Sequence, residues 1–451
     1  MKTFLSRGLI PVLLFVSLML SACQGTGIAC HSCGQTNSDE ASFCSSCGTP
    51  LSQSEAEDGE SETDPTLTPP DVNSQGGTSM FENDNYLLNY SVQISDGMTQ
   101  TSGDGVNMAF DQQYGILFCV YMPGAQGKYG ESRGRICLTY FPASQPTNTR
   151  TVTVSEGHEE YTPNIISLGR GIVRVTYEKW SWKKGDHNLC YKDYNFLTGT
   201  FTEEKVIMLK QEDGKKVPLT QSVQFAYLRE HGYHGQTDRY MEQLNLGGNT
   251  LFKDENGVWY GAITTYLSEP VLFRSEDNLA TLEYFAIYPH PVQYEMDIKY
   301  LNGVLHAIYR TDKNEDSIYY TFSRDNGKTW QEAVALEDSI QCRPRMIVYN
   351  NHILMSYNYY NADTGNRPEI QQGRTSIRIC YGEKLNPNTN RVVVDLYSKY
   401  GIVNVCLMNM MNDLYLTYST SVVALEYQNG NAMVRGKDAV RFVNLGDVLN
   451  K

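Results

Sequence analysis

The stretch SIYYTFSRDNGKTWQEAVAL runs from Ser317 to Leu336. Its ends are short runs of tyrosine, phenylalanine and valine. Its middle, Ser323-Arg324-Asp325-Asn326-Gly327-Lys328-Thr329-Trp330, sets an acid, a glycine, a hydroxyl and an indole at fixed steps. Apolar runs flanking an Asp/Asn/Gly cluster predict two strands around a tight turn. The Asp325 carboxylate can accept backbone N–H bonds inside that turn, and Gly327 can take positive φ without steric penalty. The stretch is therefore expected to be a structural hairpin.

Outward from this hairpin the same pattern recurs. From about Tyr86 to Lys451 no strong helical period appears, and short apolar runs alternate with turns. One type of segment reads as two strands around a turn: NMAFDQQYGILFCVYM from Asn107, then copies from Asn164, Asn249, Glu295, Pro344 and Gly401. Each is followed by a second strand pair, of which the opening stretch is the fourth. The spacing is about fifty residues except in the second unit, which is 85 residues long. Six units of four strands predict an all-β chain folded as a six-bladed β-propeller. Either DAVRFVNL near the C-terminus or NYLLNYSVQI near Tyr86 can close the ring.

Ser323 to Trp330 matches S-x-D-x-G-x-T-W and so resembles the Asp-box, or BNR repeat, of the sialidase-like propellers. SEDNLATL from Ser275 is a degraded copy at the same position of blade three. In that family the motif is a structural turn on the face away from the site, and ligands sit over the central channel at the loops entering the inner strands. The resemblance implies a glycan or glycoprotein partner and a glycoside hydrolase with a tyrosine nucleophile, a known exception among glycosidases. Carried over residue by residue, it points to Glu295 before MDIKYLNGVLHAIYR, Arg310 at the end of that segment, Arg374 in QQGRTSIRICYGE, and Tyr400 in SKYGIVNV. Tyr400 would be the nucleophile and Glu295 its proton acceptor, while Arg310 and Arg374 would clamp a substrate carboxylate. Asp297, two residues beyond Glu295, points to the same side of the strand. Arg343 and Arg345, in QCRPR, also enter an inner strand and join the substrate-binding candidates.

Two family features are absent. The blade-one strand GVNMAFD has no arginine, and the loop PGAQGKYGESRGR has no aspartate. Glu131 is that loop's only carboxylate and the candidate acid/base, and Arg133 can supply a cation. The open alternatives are another acidic or neutral sugar, or a non-catalytic carbohydrate- or protein-binding propeller. The second unit's extra length, roughly Gln211 to Asn245, brings His231, His234 and Arg239, and such insertions commonly sit on the binding face. Trp180, Trp182, Tyr359 and Tyr360 can stack on sugar rings or pack between blades.

The N-terminal residues carry two further signals. Lys2 and Arg7 precede an apolar run, Leu9 to Leu20, too short to span ~30 Å of hydrocarbon comfortably. Leu20-Ser21-Ala22-Cys23 resembles the bacterial lipobox, which implies removal of residues 1–22 and lipidation of Cys23. An ordinary signal peptide or an anchor helix are the alternatives, and all three export the chain. The expected location is extracytoplasmic, held to the bacterial membrane by a lipid anchor. Within residues 23–50, Cys30-x-x-Cys33 and Cys44-x-x-Cys47 form two knuckles, with Gly34 and Gly48 after them. Two such turns can complete a tetrahedral thiolate shell for a structural zinc ion. The pattern resembles the short zinc ribbons of bacterial proteins. Disulfides are the alternative in an exported chain. Residues 51–85 are rich in Glu, Asp and Pro and are expected to form an acidic, disordered linker to the propeller, residues 86–451.

Composition agrees with this division. The 451 residues include 37 basic and 51 acidic side chains, a formal charge of −14. That balance argues against nucleic acid as a partner. Tyrosine, at 32 copies, suits sheets with aromatic surfaces. Cys119, Cys137, Cys190, Cys342, Cys380 and Cys406 lie in apolar runs and are expected to be free and buried.

Overall fold

The computed structural model describes residues 28–29, 36–37, 91–95, 106–122, 135–155, 160–179, 187–233, 244, 246, 251–293, 295–311, 317–337, 339–340, 342–359, 376–381, 391–397, 402–420, 424–428, 431–435 and 440–448. The chain divides into two compact units, Met1–Ala56 and Glu57–Lys451. In the first, Ile28–Ala29 pairs antiparallel with Thr36–Asn37, so a small hairpin brackets Cys30 and Cys33 in sequence.

The second unit is a six-bladed propeller. Blade one is Asn107–Asp111, Ile116–Tyr121, Ile136–Pro142 and Arg150–Ser155, paired in that order. Blades four and five repeat the arrangement from Met296–Leu301 and from Arg345–Tyr349. Blade two runs from Glu160–Gly169 outward, and blade three is built around Trp259–Ile263, Val271–Ser275 and Thr281–Ile287. In blade six, Val403–Met410, Asp413–Ser419 and Val440–Gly446 are completed by Val92–Gln93 from the start of the propeller. The first and last strands of the propeller segment thus share one sheet, and both segments named as possible closures contribute a strand. The segment Val422 to Val443, read from the sequence as blade six's second strand pair, is revised: its end joins the blade within Val440–Gly446, while Ala424–Gln428 and Asn431–Arg435 form a separate two-stranded hairpin.

Blade three takes up a strand that the sequence places in blade two. The sequence places the run ending at Met208–Lys210 in blade two, but these residues pair in parallel with Thr281–Glu283, on the outside of blade three. Lys216–Pro218 pairs beside them. Helix Gln221–Glu230 follows, with Phe225 and Leu228 buried against Val271. Thr220 accepts the amide of Val223 at its start, an ordinary N-cap. The described part of the insertion therefore thickens the outer edge of blade three. His231 lies there, against the Tyr227 ring and 3.7 Å from Glu212.

Every blade is packed between two others, so both sheet faces are buried and the apolar pattern is near-continuous. Val304–Ile308, for example, has no exposed residue in a row of five. A separate apolar cluster fills each interface: Phe118 with Val175 between blades one and two, Ile166 with Phe273 between two and three, and Leu272 with Ile298 between three and four. Ile308 with Met355, Leu354 with Leu407, and Leu117 with Phe442 fill the other three. All six described cysteines are buried and free.

The turn after the third strand of blade four is held by its own side chains. The Thr329 amide and hydroxyl reach the two Asp325 oxygens at 2.8 and 2.6 Å, and the Gly327 amide reaches Ser323 Oγ at 2.8 Å. These bonds, those from Thr329 first, hold the Asp325 carboxyl down to about 2. Trp330 Nε1 donates to the Gly327 carbonyl, and its ring meets Tyr288 edge-on. Around Asp277 in blade three the pattern repeats: Thr281 N bonds Asp277 Oδ1 at 2.7 Å and Leu279 N bonds Ser275 Oγ at 2.9 Å.

Gly327 has φ +85°, and a Cβ there would lie 2.8 Å from Ala286 Cβ of blade three. Gly327→Ala is therefore expected to destabilise the propeller by about 1–3 kcal/mol, read as a lowered denaturation midpoint, whereas Lys328→Ala leaves the midpoint within about 0.5 kcal/mol.

Candidate functional site

Antiparallel succession puts the starts of the inner strands and the ends of the second strands on one face, called upper here. The turn at Ser323–Trp330 lies on the other. At the upper face of blade four, Glu295 immediately precedes the inner strand and Arg310 ends the second. The Arg310 amide donates to the Glu295 carbonyl at 3.1 Å, which fixes the two side chains beside each other. Arg343 arrives from blade five, two residues before its inner strand.

Glu295 holds both cations. Its Oε2 lies 3.3 Å from Arg310 Nη1, and its Oε1 lies 3.3 Å from Arg343 Nε. These contacts are longer than the ~2.7–2.9 Å of a tight charge-assisted bond. Side-chain exposure falls from 14% at Arg310 to 11% at Glu295 and 3% at Arg343. Arg343 Nη1 is shielded from water and has no hydrogen-bond partner among the described residues. The cluster thus presents two guanidiniums and one carboxylate at the upper end of the channel.

Asp297 and Arg345 sit deeper and belong to a different assembly. Both are fully buried. Asp297 takes Lys299 Nζ on one oxygen at 2.5 Å and the amide of Met346 on the other at 2.7 Å. Arg345 Nε donates to the Val405 carbonyl at 2.9 Å, and Nη2 reaches Asn107 Oδ1 at 3.5 Å, so it touches blades six and one. Burial, reinforced by Arg343, lowers its guanidinium to about 10. Lys299 is also lowered by burial, against the opposing pull of Asp297. These three charges plug the channel. Asp297 and Arg345, expected among the substrate-binding residues, lie in this layer and hold inner strands together.

Tyr400, Arg374, Glu131, Arg133, His234, Arg239, Trp180, Trp182 and Tyr360 lie outside the described residues, as do Cys23, Cys30, Cys33, Cys44 and Cys47. Tyr359 packs its ring under the Arg378 guanidinium at 4.1 Å, in the wall between blades four and five. One pair escaped the sequence reading. Glu178 and His187, both almost fully buried, meet at 2.5 Å at the upper end of blade two, and Glu178 Oε1 also accepts the Leu244 amide at 2.9 Å. The available signal was positional: Glu178 stands near the end of its blade's second strand, as Arg310 does in blade four.

A zinc-ribbon domain family matches residues 30–51. No curated protein matches the chain in sequence. Among solved structures, a Hadza microbial sialidase is similar at TM-score 0.53 and 12% identity, over 79% of this chain and 68% of that one. Trypanosoma rangeli sialidase in complex with sialic acid matches at TM-score 0.48 and 12% identity, over 80% of this chain. This chain spans 57% of that enzyme's length. A NanB sialidase variant from Streptococcus pneumoniae gives TM-score 0.45 at 13% identity, over 80% of this chain and 72% of that one. The likeness is one of fold.

Removing one member of the channel plug strands its partner. Asp297→Ala leaves Lys299 as a buried, uncompensated cation and is expected to cost about 3–5 kcal/mol. Asp297→Asn combined with Lys299→Met keeps an acceptor for Met346 and removes the cation, so it recovers most of the loss in chemical denaturation.

Proposed function

We propose that this chain is an exported, lipid-anchored surface protein whose propeller binds a glycan at its upper mouth and hydrolyses it as a sialidase-like glycosidase. The carrying observation is the convergence of Arg310 and Arg343 on Glu295, with a buried Arg343 Nη1 that has no hydrogen-bond partner among the described residues. An acidic sugar carboxylate or ring hydroxyls would engage these donors. Tyr400 would attack the anomeric carbon and pass its phenolic proton to Glu295, whose carboxylate the two cations support. Glu131 would protonate the leaving oxygen, and water would release the sugar from the tyrosine.

A binding-only reading has its own support. Asn107 stands on the blade-one strand that carries no arginine, and its amide is committed to the Pro163 carbonyl at 2.9 Å. With chromogenic α- and β-glycosides of acidic and neutral sugars, the full chain is expected to turn over at least one. Glu295→Gln should then lose about 10²–10⁴-fold, and Tyr400→Phe at least as much. Absence of turnover across the panel decides for the binding-only reading.

For the N-terminal unit we propose a structural zinc ribbon with Cys30, Cys33, Cys44 and Cys47 as ligands. Support comes from the family match and from the pairing of Ile28–Ala29 with Thr36–Asn37, which flank the first knuckle in sequence. Four thiolates make a closed site, and bound zinc would supply the folding energy that so small a unit lacks. Reduced protein is expected to carry about one zinc ion per chain, and Cys44→Ser to lose it in metal analysis.

A further inference from the structure

We propose that the lower mouth of the channel is a second binding site, for an uncharged oligosaccharide. A cavity of about 1060 Å³ opens there. It is comparable to the upper end of the ~300–1,000 Å³ typical of small-ligand sites. It is bounded by hairpins of blades three and four and by apolar side chains of blades five and six, with Lys299 of the channel plug at its inner end. It therefore lies on the far side of the plug from Glu295.

The wall has two chemical characters. Phe252 and Tyr260 stack with centroids 5.1 Å apart and planes 13° apart, and Phe285 meets Tyr260 edge-on. All three rings are only half-buried, and Tyr300 nearby is 42% exposed. Partly open aromatic faces of this kind suit the C–H face of a pyranose ring. Around them stand groups that exchange hydrogen bonds with hydroxyls. Asn302 and Asn326 line the cavity from hairpin turns at φ +51° and +59°. Their amides both donate and accept, which matches a vicinal diol.

Charge selects among ligands. The lining charges are mixed: Arg274 pairs with Glu283, Lys299 pairs with Asp297, and Asp254 and Glu255 line the wall alongside Lys253 and Lys328. A phosphate or polyanion would find no net positive field here. An apolar peptide anchor would desolvate the carboxylates without partners. A neutral sugar satisfies both the rings and the polar rim.

Cellotriose, maltotriose, N,N′,N″-triacetylchitotriose and lacto-N-tetraose would each be titrated into the full chain, with saturation-transfer NMR as readout. At least one is expected to bind. Tyr300→Ala removes an exposed ring, and Asn302→Gly removes the amide while keeping positive φ. Each should weaken binding at least tenfold with an unchanged denaturation midpoint. Glu295→Gln, at the other mouth, should leave that affinity within twofold. Binding that is lost in Glu295→Gln but kept in Tyr300→Ala overturns the proposal and assigns the sugar to the upper mouth. Failure of all four sugars to bind overturns it as well.

Discussion

A propeller has one structural weakness, and this chain's polar residues are arranged around it. The first strand of every blade is an edge strand facing the channel, so one side of its backbone has no sheet partner. Buried there, an unpaired amide or carbonyl costs about 1–3 kcal/mol. Side chains of the neighbouring blade meet these groups. Asn107 donates to the Pro163 carbonyl, Asn164 to that of Leu246, and Asn358 to that of Ile402. Asp297 accepts the Met346 amide, and Arg345 donates to the Val405 carbonyl. Each bond crosses from one blade to the next, so backbone satisfaction and ring assembly are one event. Two of the acceptor sites coincide with register shifts, near Thr162 at φ +46° and Asn404 at φ +52°. These bulges turn carbonyls away from the ladder and toward the neighbouring blade.

The same constraint explains why charge is tolerated on the axis. Arg345 and Lys299 are fully or almost fully buried, which for lone cations would be prohibitive. Each is held by carbonyl oxygen as well as by opposite charge or amide: Lys299 by Asp297 and the Ile298 carbonyl, Arg345 by Val405 and Asn107. The plug therefore spends its hydrogen bonds on backbone. A layer above, Glu295 meets Arg310 and Arg343 side chain to side chain, each at 3.3 Å.

Much of the architecture was legible because a propeller blade is a local object. The repeated strand pairs, the Asn302-Gly303 turn and the Asp325 turn are each encoded within about twenty residues, and their count gave six sheets. What escaped was non-local. Met208–Lys210 reads as the tail of blade two, yet it pairs in parallel with Thr281–Glu283, seventy residues on, a partner no short window can reveal. Ala424–Arg435 has the alternation of a blade hairpin, but Val440–Gly446 and Val92–Gln93 occupy the positions it would have taken. The upper cluster was legible in part for the same reason. Glu295 and Arg310 belong to one hairpin, whereas the contact with Arg343 crosses blades. Asp297 illustrates the limit of strand alternation: it shares a side with Glu295, but the strand carries it one layer deeper, where the ligand is a backbone amide.

The plug also fixes how the two mouths relate. Lys299 stands at the inner end of the lower cavity and is gripped by Asp297, whose other oxygen holds the inner strand of blade five. That strand begins at Arg345, two residues after Arg343 in the upper cluster. A displacement of Lys299 would thus have to break a buried ion pair before it reached Arg343, a cost of several kcal/mol by the measure of buried pairs. Coupling between distant sites ordinarily amounts to about 1–3 kcal/mol. The buried pair Asp297–Lys299 and its bond to the inner strand of blade five thus stand between the upper cluster and the lower cavity.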